Sequence, residues 1–299
     1  MANTFRTKYR GAQIGLNLNA QSVSALIDKG ANFIRYQMVV GEAEVKTVDQ
    51  WKDAIRYYLS YFDTNLQALC TSRGVRVVLD MHTPPGGIVG SKAPLFDSPL
   101  LKTAFLEMWD EIAFRYQSSD AFYAYDLLNE PAGNVGDVKT LLTSAYQVVR
   151  RRDKRKCIVV ESAYGDPTKV DSCPAILDSK LYYSFHFYWP DKITAQGIGS
   201  NPKGEVYPTT KYNLVTLREK LYKAINIQKS RNVNMYVGEF SICTFADPSS
   251  RCNYLKDCIA LFEMNNFQWT YHAWRESPVW DAESNPEVLK VLTDAWRKN

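Results

Sequence analysis

Two glutamates each follow a short apolar run that is typical of a buried strand: Glu130, within an Asn-Glu-Pro triplet, and Glu239, within Gly-Glu-Phe. Breaking a glycosidic bond requires a proton on the leaving oxygen and a nucleophile at the anomeric carbon. Two carboxyl groups about 5–5.5 Å apart can supply both, with retention of configuration. The pair therefore predicts acid and nucleophile chemistry on a glycan, provided that the fold brings the two side chains together.

Other polar and aromatic residues end neighbouring apolar runs, and they form the predicted binding set: Arg35, His82, Asn129, His186, Tyr188 and Trp274. A cation such as Arg35 near Glu239 would favour the ionised carboxylate that a nucleophile needs. Amides and hydroxyls can hold a sugar, while Trp274 and Trp189 offer flat apolar faces suited to stacking on a pyranose ring. The set thus predicts a sugar site around the two glutamates.

Four further acids compete for the catalytic roles. Asp80 and Asp126 lie inside strand patterns, where a buried acid is usually structural. Glu161, which ends the fifth strand pattern, is the strongest rival, and Glu276 follows it. A metal site is the alternative chemistry, because all three histidines of the chain fall near strand ends: His82, His186 and His272. No local ligand spacing supports a metal, so we expect neither a metal nor a cofactor.

Strand-like and helix-like patterns alternate along the whole chain. Eight strands are predicted: Ala12–Leu16, Phe33–Tyr36, Arg76–Met81, Phe122–Leu128, Cys157–Glu161, Leu181–Phe187, Met235–Phe240 and Gln268–Trp274. Eight strands alternating with helices predict an α/β fold, a (β/α)8 TIM barrel, as a single domain over residues 1–299. A doubly wound open sheet is the rival, but its glycine-rich turn after the first strand is missing.

A barrel gathers the carboxyl ends of its strands around one mouth, where function sits in this fold. Strands four and seven lie on opposite sides of such a barrel, so Glu130 and Glu239 can flank a sugar. Strict alternation would send Asn129 and Glu130 to opposite faces. Both reach the mouth only if the strand bends or bulges there.

Composition limits the partners of the chain. A net charge of +4, with acids and bases mixed, does not favour nucleic acid, and no segment has the length of a membrane span. The densest basic run, from Arg150 to Lys156, is interpreted as a solvated helix end rather than a polyanion site. The first ten residues contain no signal peptide, which predicts either a cytoplasmic protein or a secreted one whose leader is removed. We expect a monomer.

The six cysteines form no CxxC pair and no zinc-ligand pattern. Cys70 and Cys157 have the pattern of small core residues. Cys243 and Cys252 flank a short loop and could bridge it, an alternative that the sequence leaves open.

Four segments resemble the signatures of family-5 glycoside hydrolases, the cellulase family of the retaining (β/α)8 clan. Leu-Asn-Glu-Pro at 128–131 and Gly-Glu-Phe at 238–240 resemble its strand-four and strand-seven motifs. Asp-Met-His-Thr-Pro-Pro-Gly-Gly at 80–87 is similar to its strand-three segment, and His-Phe-Tyr at 186–188 to its strand-six motif. The segment after Arg35 departs from the family, with Tyr-Gln-Met where an Ile-Pro pair is common.

The resemblance implies a role for each predicted residue. Glu130 would be the acid/base and Glu239 the nucleophile of a double displacement. Asn129 would bind the 2-hydroxyl of the sugar, and Arg35 and Tyr188 would contact the nucleophile. The remaining predicted residues would line the −1 subsite, with the tryptophan as its floor: His82, His186 and Trp274.

The function that follows is a retaining hydrolase of a β-linked oligo- or polysaccharide, with an endo-β-1,4-glucanase as the first choice. A β-mannanase or another β-glucanase of the same family is the alternative, since backbone preference can depend on one or two side chains. A non-catalytic glycan-binding barrel is the hypothesis from another class. A binding module has no need for both carboxylates, which argues against it. The long connection after strand six, from Trp189 to Tyr212, is predicted to shape the cleft.

Overall fold

The computed structural model describes residues 8–16 and 18–298, so residues 1–7, 17 and 299 lie outside it. The first seven residues of the segment considered for a signal peptide are among those outside. Eight parallel strands close into a barrel in sequence order, β1 to β8. Their bounds are Arg10–Ile14, Phe33–Gln37, Arg76–Asp80, Ala124–Asp126, Cys157–Glu161, Leu181–Phe187, Asn234–Phe240 and Gln268–Tyr271. The predicted (β/α)8 barrel is confirmed.

Ten α-helices, α1 to α10, are found among the described residues, mostly between successive strands. Their bounds are Ala20–Asp28, Val48–Asn65, Gln67–Ser72, Pro99–Tyr116, Val135–Arg152, Asp191–Thr194, Leu214–Lys220, Tyr222–Arg231, Pro248–Met264 and Pro286–Trp296. The main core lies between this helical layer and the outer face of the barrel. Within the described part of the chain, none of the helices has both the length and the apolarity needed to cross a bilayer.

Local sequence signals set the helix ends. Helix α5 begins at Val135, and Asn134 caps it by accepting from the backbone N–H of Asp137. The same helix ends at Arg152, and its last two arginines pair with Asp110 of α4. The basic run therefore starts at a helix end, as its pattern predicts.

The predicted alternative of a disulfide does not occur in the structure. Cys243 is buried and its Sγ donates to the backbone oxygen of Gln196, 3.3 Å away. Cys252 is likewise unbridged.

Candidate active site

Two successive layers of side chains fill the barrel interior, the first apolar and the second mostly charged. An apolar layer crosses it near the amino ends of the strands, formed by Phe33, Val78, Ala124, Val159, Tyr182 and Tyr236. Side chains two positions apart on a strand share a face. The layer above is therefore occupied by the residues two positions further along: Arg35, Asp80, Asp126, Glu161 and Ser184. Alternation alone thus places an arginine among three carboxylates.

Arg35 is fully buried and pairs with four carboxylates. Its guanidinium nitrogens lie 3.0 Å from Asp80, 3.0 Å from Asp126, 2.8 Å from Glu161 and 2.9 Å from Glu239. Burial opposes the charged guanidinium, but the four carboxylates outweigh it and hold the pKa of Arg35 well above its ordinary value. This one side chain therefore bridges acids that reach it from four strands, and burial and the neighbouring Glu161 raise the pKa of one of them, Asp126, well above its ordinary value.

Replacing Arg35 by methionine should lower the free energy of unfolding at neutral pH by about 3–5 kcal/mol, because buried carboxylates would lose their counter-ion. The fully buried Glu161, whose pKa is held at about 2, has a folded-state pKa below its unfolded value. Its stabilising contribution is present above the unfolded pKa and is lost as pH falls, so the difference between variant and wild type should shrink in acid.

Urea denaturation of both proteins at neutral and acidic pH measures this difference. Arg56→Met is the matched control, because Arg56 is exposed and pairs with Glu111 on the surface. That control should change stability by about 0–1 kcal/mol. An Arg35→Met protein as stable as the control would contradict the prediction.

Glu239 reaches the site through a bulge between strands β6 and β7. Phe185 pairs with Val237, but the next residue, His186, pairs with Glu239, so Gly238 is the extra residue on β7. A Cβ at position 238 would lie 2.8 Å from Nε2 of His186, and only glycine fits there. The bulge therefore turns Glu239 into the mouth, directly beside His186.

Both oxygens of Glu239 are held by donors. Oε1 accepts from Arg35, and Oε2 accepts from the hydroxyl of Tyr188 at 2.7 Å. Burial alone would raise the pKa of this carboxyl, but the surrounding cationic groups, His186 first among them, hold it well below its ordinary value. Glu239, whose side chain is 8% exposed, is thus an ionised carboxylate fixed in place.

Glu130 lies beyond the end of β4, because that strand stops at Asp126. Its backbone adopts a φ of 39°, and its backbone N–H donates to Oε2 of Glu161 at 2.8 Å. Regular strand alternation would send Asn129 and Glu130 to opposite faces. This break in the strand lets both side chains face the mouth. Asn129 accepts from Arg35 at 3.0 Å.

The side chain of Glu130 is open on one side and supported on the other. Its Oε1 lies 2.7 Å from Nδ1 of His186, while the side chain as a whole is 43% exposed. Gly165 also packs against it at a φ of +64°, and a Cβ there would lie 3.1 Å from Oε1 of Glu130 and 3.2 Å from Cβ of His186. The carboxyl group is therefore positioned by the protein and still accessible to water and ligand.

The two candidate carboxyl groups lie close together. One oxygen of Glu130, one oxygen of Glu239 and a ring nitrogen of His186 all lie within 4.8 Å of one another. Among the described residues, this trio is the one group with the spacing of a metal site, and it differs from the three histidines of the alternative metal hypothesis. Because both oxygens of Glu239 already accept from Arg35 and Tyr188, the same geometry is satisfied by protein donors.

The competing acid Glu161 has a supporting position. It is fully buried, and its Oε1 contacts Arg35 and lies 3.2 Å from Nε2 of His186. Burial favours its neutral form, but His186 and Arg35 lower the pKa of Glu161 to about 2. It holds the backbone of Glu130 and the ring of His186 rather than facing the mouth.

His82 lines the other side of the mouth. Its Nδ1 lies 2.8 Å from Oδ2 of Asp80. Burial lowers the pKa of this imidazole, but the Asp80 carboxylate outweighs burial and raises it above the ordinary value.

The prediction for Trp274 is wrong. This side chain is 0% exposed, and its indole N–H donates to the backbone oxygen of Ser22 at 2.9 Å. Strand β8 ends at Tyr271, so the alternation that would carry Trp274 inward does not extend to it. A tryptophan packed beneath α1 offers no face to a sugar.

His272 and Trp280, which the sequence interpretation omitted from the sugar site, lie where Trp274 was expected. Nδ1 of His272 lies 4.0 Å from Oε2 of Glu239, and the ring of Trp280 packs 5.7 Å from Tyr188. Strand alternation counted from Thr270 would have placed the side chain of His272 in the mouth. From the sequence, this histidine was considered only as a possible metal ligand. No pattern in the sequence singles out Trp280.

A cavity of about 240 Å³ opens beside Glu130. Trp189 and Asp191 line it from the connection after β6, and Tyr164 and Lys220 line it from neighbouring segments. The predicted contribution of the start of that connection to the cleft is therefore found.

Comparisons with known proteins agree with this geometry. The sequence model of the family described as cellulase (glycosyl hydrolase family 5) matches residues 2–278. Endoglucanase C of Acetivibrio thermocellus is 26% identical over 249 residues, which are 71% of this chain and 72% of that protein.

Solved structures show the same fold. Thermotoga maritima Cel5A in complex with mannotriose superposes with a TM-score of 0.76 at 18% identity, over 96% of this chain and 97% of that one. The structure of that enzyme with cellobiose gives a TM-score of 0.76 at 20% identity, over 95% and 97% of the two chains.

Proposed function

Because the chain belongs to glycosyl hydrolase family 5, we propose that it is a retaining β-glycanase in which Glu239 is the nucleophile and Glu130 the acid/base. The observation that carries the proposal is the distance between the two carboxyl groups. Oxygens within 4.8 Å of each other fit the short separation of the two carboxyl groups in retaining enzymes better than the longer separation in inverting ones.

In the first step an oxygen of Glu239 attacks the anomeric carbon. The bond from that carbon to the bridging oxygen breaks, its electron pair stays on the departing oxygen, and Glu130 gives this oxygen a proton. Arg35 and Tyr188 hold the nucleophile by hydrogen bonds of 2.9 and 2.7 Å, so that little reorganisation is needed at the moment of attack.

In the second step Glu130, now a carboxylate, removes a proton from water. The water oxygen attacks the anomeric carbon, the ester bond to Glu239 breaks, and its electron pair returns to the carboxylate. Two inversions give net retention. The exposed side of Glu130 supports this exchange of protons with water, while the low pKa of Glu239 makes it a competent leaving group.

The substrate that we propose is a β-linked glucan cut within the chain. The endoglucanase relative supports this choice. A β-mannan is the second candidate, because the Thermotoga maritima enzyme of the same fold is seen with mannotriose as well as cellobiose.

The proposal predicts that the first product released from a soluble β-glucan oligosaccharide carries the β configuration at its new reducing end. Proton NMR during the first minutes, before mutarotation, measures this. A screen of β-1,4-glucan, mixed-linkage glucan and β-mannan with reducing-end detection identifies the substrate, and Glu239→Ala protein gives the background. An α product would contradict the double displacement.

A glycan-binding barrel without catalysis makes a different prediction. It would bind an oligosaccharide and release no reducing ends over days. That outcome, with all three polymers, would replace the proposed function.

A further inference from the structure

A chain of side-chain amides connects Glu276 to the backbone beside Glu239. Gln13, on β1, donates through Nε2 to the backbone oxygen of Gly238 at 2.9 Å. Gln37, at the end of β2, donates through Nε2 to Oε1 of Gln13. The other polar atom of the Gln37 amide lies 2.6 and 3.0 Å from the two carboxyl oxygens of Glu276.

The direction of this chain is fixed at its inner end. A backbone carbonyl can only accept, so Gln13 must turn its N–H₂ toward Gly238 and its oxygen toward Gln37. Gln37 must then donate to Gln13, which leaves its own oxygen facing the carboxyl group of Glu276. Two acceptors 2.6 Å apart are compatible only if a proton lies between them.

Exchanging the oxygen and nitrogen of either amide does not remove the contact between two acceptors, but only transfers it to another pair of atoms. If Gln37 is reversed, it donates to Glu276 but sets its oxygen against the oxygen of Gln13. If Gln13 is reversed as well, its oxygen faces the carbonyl of Gly238, which cannot turn. The amides of Gln13 and Gln37 lie between the backbone carbonyl of Gly238 and the carboxyl group of Glu276. Because the carbonyl can only accept, the carboxyl group must be a hydrogen-bond donor.

We propose that Glu276 is kept as a neutral carboxylic acid and is a specificity-determining residue that binds hydroxyl groups of the substrate's glycone. The claim about the proton rests on the amide chain alone, and the claim about the glycone rests on the proposed function.

The position of Glu276 assigns it to the glycone. Glu130 must reach the leaving oxygen, so the leaving group lies over the cavity beside Glu130, under the segments that follow β4 to β6. Glu276 follows β8 and contacts Gln37 at the end of β2, which places it across Glu239 from that cavity. Glu276 as a whole residue keeps exposed surface, so a ligand in the mouth can reach it, while its carboxyl group is packed against the amide of Gln37.

The electrostatic surroundings agree with a neutral acid. Burial of the carboxyl group raises the pKa of Glu276 to about 7, and the cationic His82 only partly offsets this. The other charged and titratable groups whose fields reach it come from β2, β3, β7 and α2: Arg35, Asp80, Glu239 and Tyr58. His272 contributes no charge at neutral pH, since burial lowers its pKa to about 4.

Ionisation of Glu276 removes the donor at the end of the chain. The acid is neutral below its pKa, so the amide chain is intact there and is disrupted as pH rises through about 7. Glycone binding should weaken over the same interval, because the carboxylate and Gln37 then repel each other.

The test compares the KM of an oligosaccharide that fills the glycone side for wild type, Glu276→Gln and Glu42→Gln. The neutral fraction of an acid with a pKa near 7 falls roughly tenfold between about pH 6 and about pH 8, so wild-type KM should rise about tenfold. A glutamine at position 276 donates to Gln37 at every pH, so its KM should stay near the wild-type value at low pH. Glu42, an exposed acid after β2, should leave the wild-type profile unchanged when replaced. Parallel profiles for wild type and Glu276→Gln would overturn the assignment to the glycone.

An infrared titration tests the proton without any substrate. The difference spectrum of wild type minus Glu276→Gln should contain a carboxylic acid C=O band at about pH 6 that disappears with a midpoint near 7. A carboxylate band at about pH 6 would overturn the neutral acid. This arm gives its answer even if no glycan is cleaved, so failure of the proposed function and failure of this inference are distinguishable.

Discussion

Glu239→Ala should reduce turnover of the glycan by on the order of 10⁴-fold or more, because no other group is placed to form the covalent intermediate. Glu161, the nearest rival, is fully buried and engaged by Arg35 and His186. The loss should be equally large for polysaccharide and for an aryl glycoside with a good leaving group, since both need the nucleophile. Initial rates of purified protein on both substrates measure it.

The same variant should remain folded. Four carboxylates share one buried arginine in the wild type, so removing one of them relieves repulsion while Arg35 keeps three partners. We expect the free energy of unfolding to stay within about 2 kcal/mol of wild type. Urea denaturation separates this outcome from a trivial loss of structure.

Azide identifies which carboxylate was lost. In Glu239→Ala, azide occupies the place of the nucleophile and attacks the face of the sugar opposite to the leaving group, which gives a glycosyl azide of inverted, α configuration. Product NMR after azide rescue of an aryl glycoside reads this directly. A β-azide from Glu239→Ala, or full activity without azide, would contradict the assignment of Glu239.

Those parts of the site that follow from strand alternation could be predicted from the sequence, although Glu161 was considered only as a rival catalytic acid. Arg35 lies two residues after Phe33 on β2, and the same period places Asp80 and Glu161 beside it. The fold and the meeting of Glu130 with Glu239 at one mouth follow from eight strand patterns in order. These features depend on local periods and on the closure of a barrel, which a single sequence contains.

Features that depend on backbone irregularity could not be predicted in the same way. The bulge at Gly238 and the positive φ of Glu130 turn two side chains into the mouth, and alternation showed only that some bend was needed. The prediction for Trp274 was wrong because the chain leaves strand β8 after Tyr271 and the indole packs against Ser22.

The hydrogen-bonded chain of Gln13, Gln37 and Glu276 could not be predicted from the sequence for another reason. Gln13, Gln37 and Glu276 come from the ends of three strands far apart in sequence, and glutamines carry no motif. Their meaning appears only when the donor and acceptor at each contact are assigned together, from the carbonyl of Gly238 outward.

Glu130→Ala should show the opposite dependence on the leaving group. A sugar alkoxide departs slowly without a proton, so hydrolysis of the glycan should fall by about 10²–10⁴-fold. A dinitrophenyl leaving group needs no proton, so Glu239 should still be glycosylated at a near wild-type rate. The second step then lacks its base, and the covalent intermediate should accumulate.

A rapid burst of released phenol, equal to the enzyme present, followed by slow turnover would measure this accumulation. Azide needs no base and should raise the slow rate, and because it attacks the intermediate from the face that the leaving group vacated, the product should be a β-glycosyl azide. Glu239→Ala is the matched control, since it should show no burst and should give the α product. The exposed side of Glu130, with Gly165 close against its carboxyl group, is where the anion would enter. An equal loss on both substrates, with no burst, would mean that Glu130 positions the substrate rather than transfers the proton.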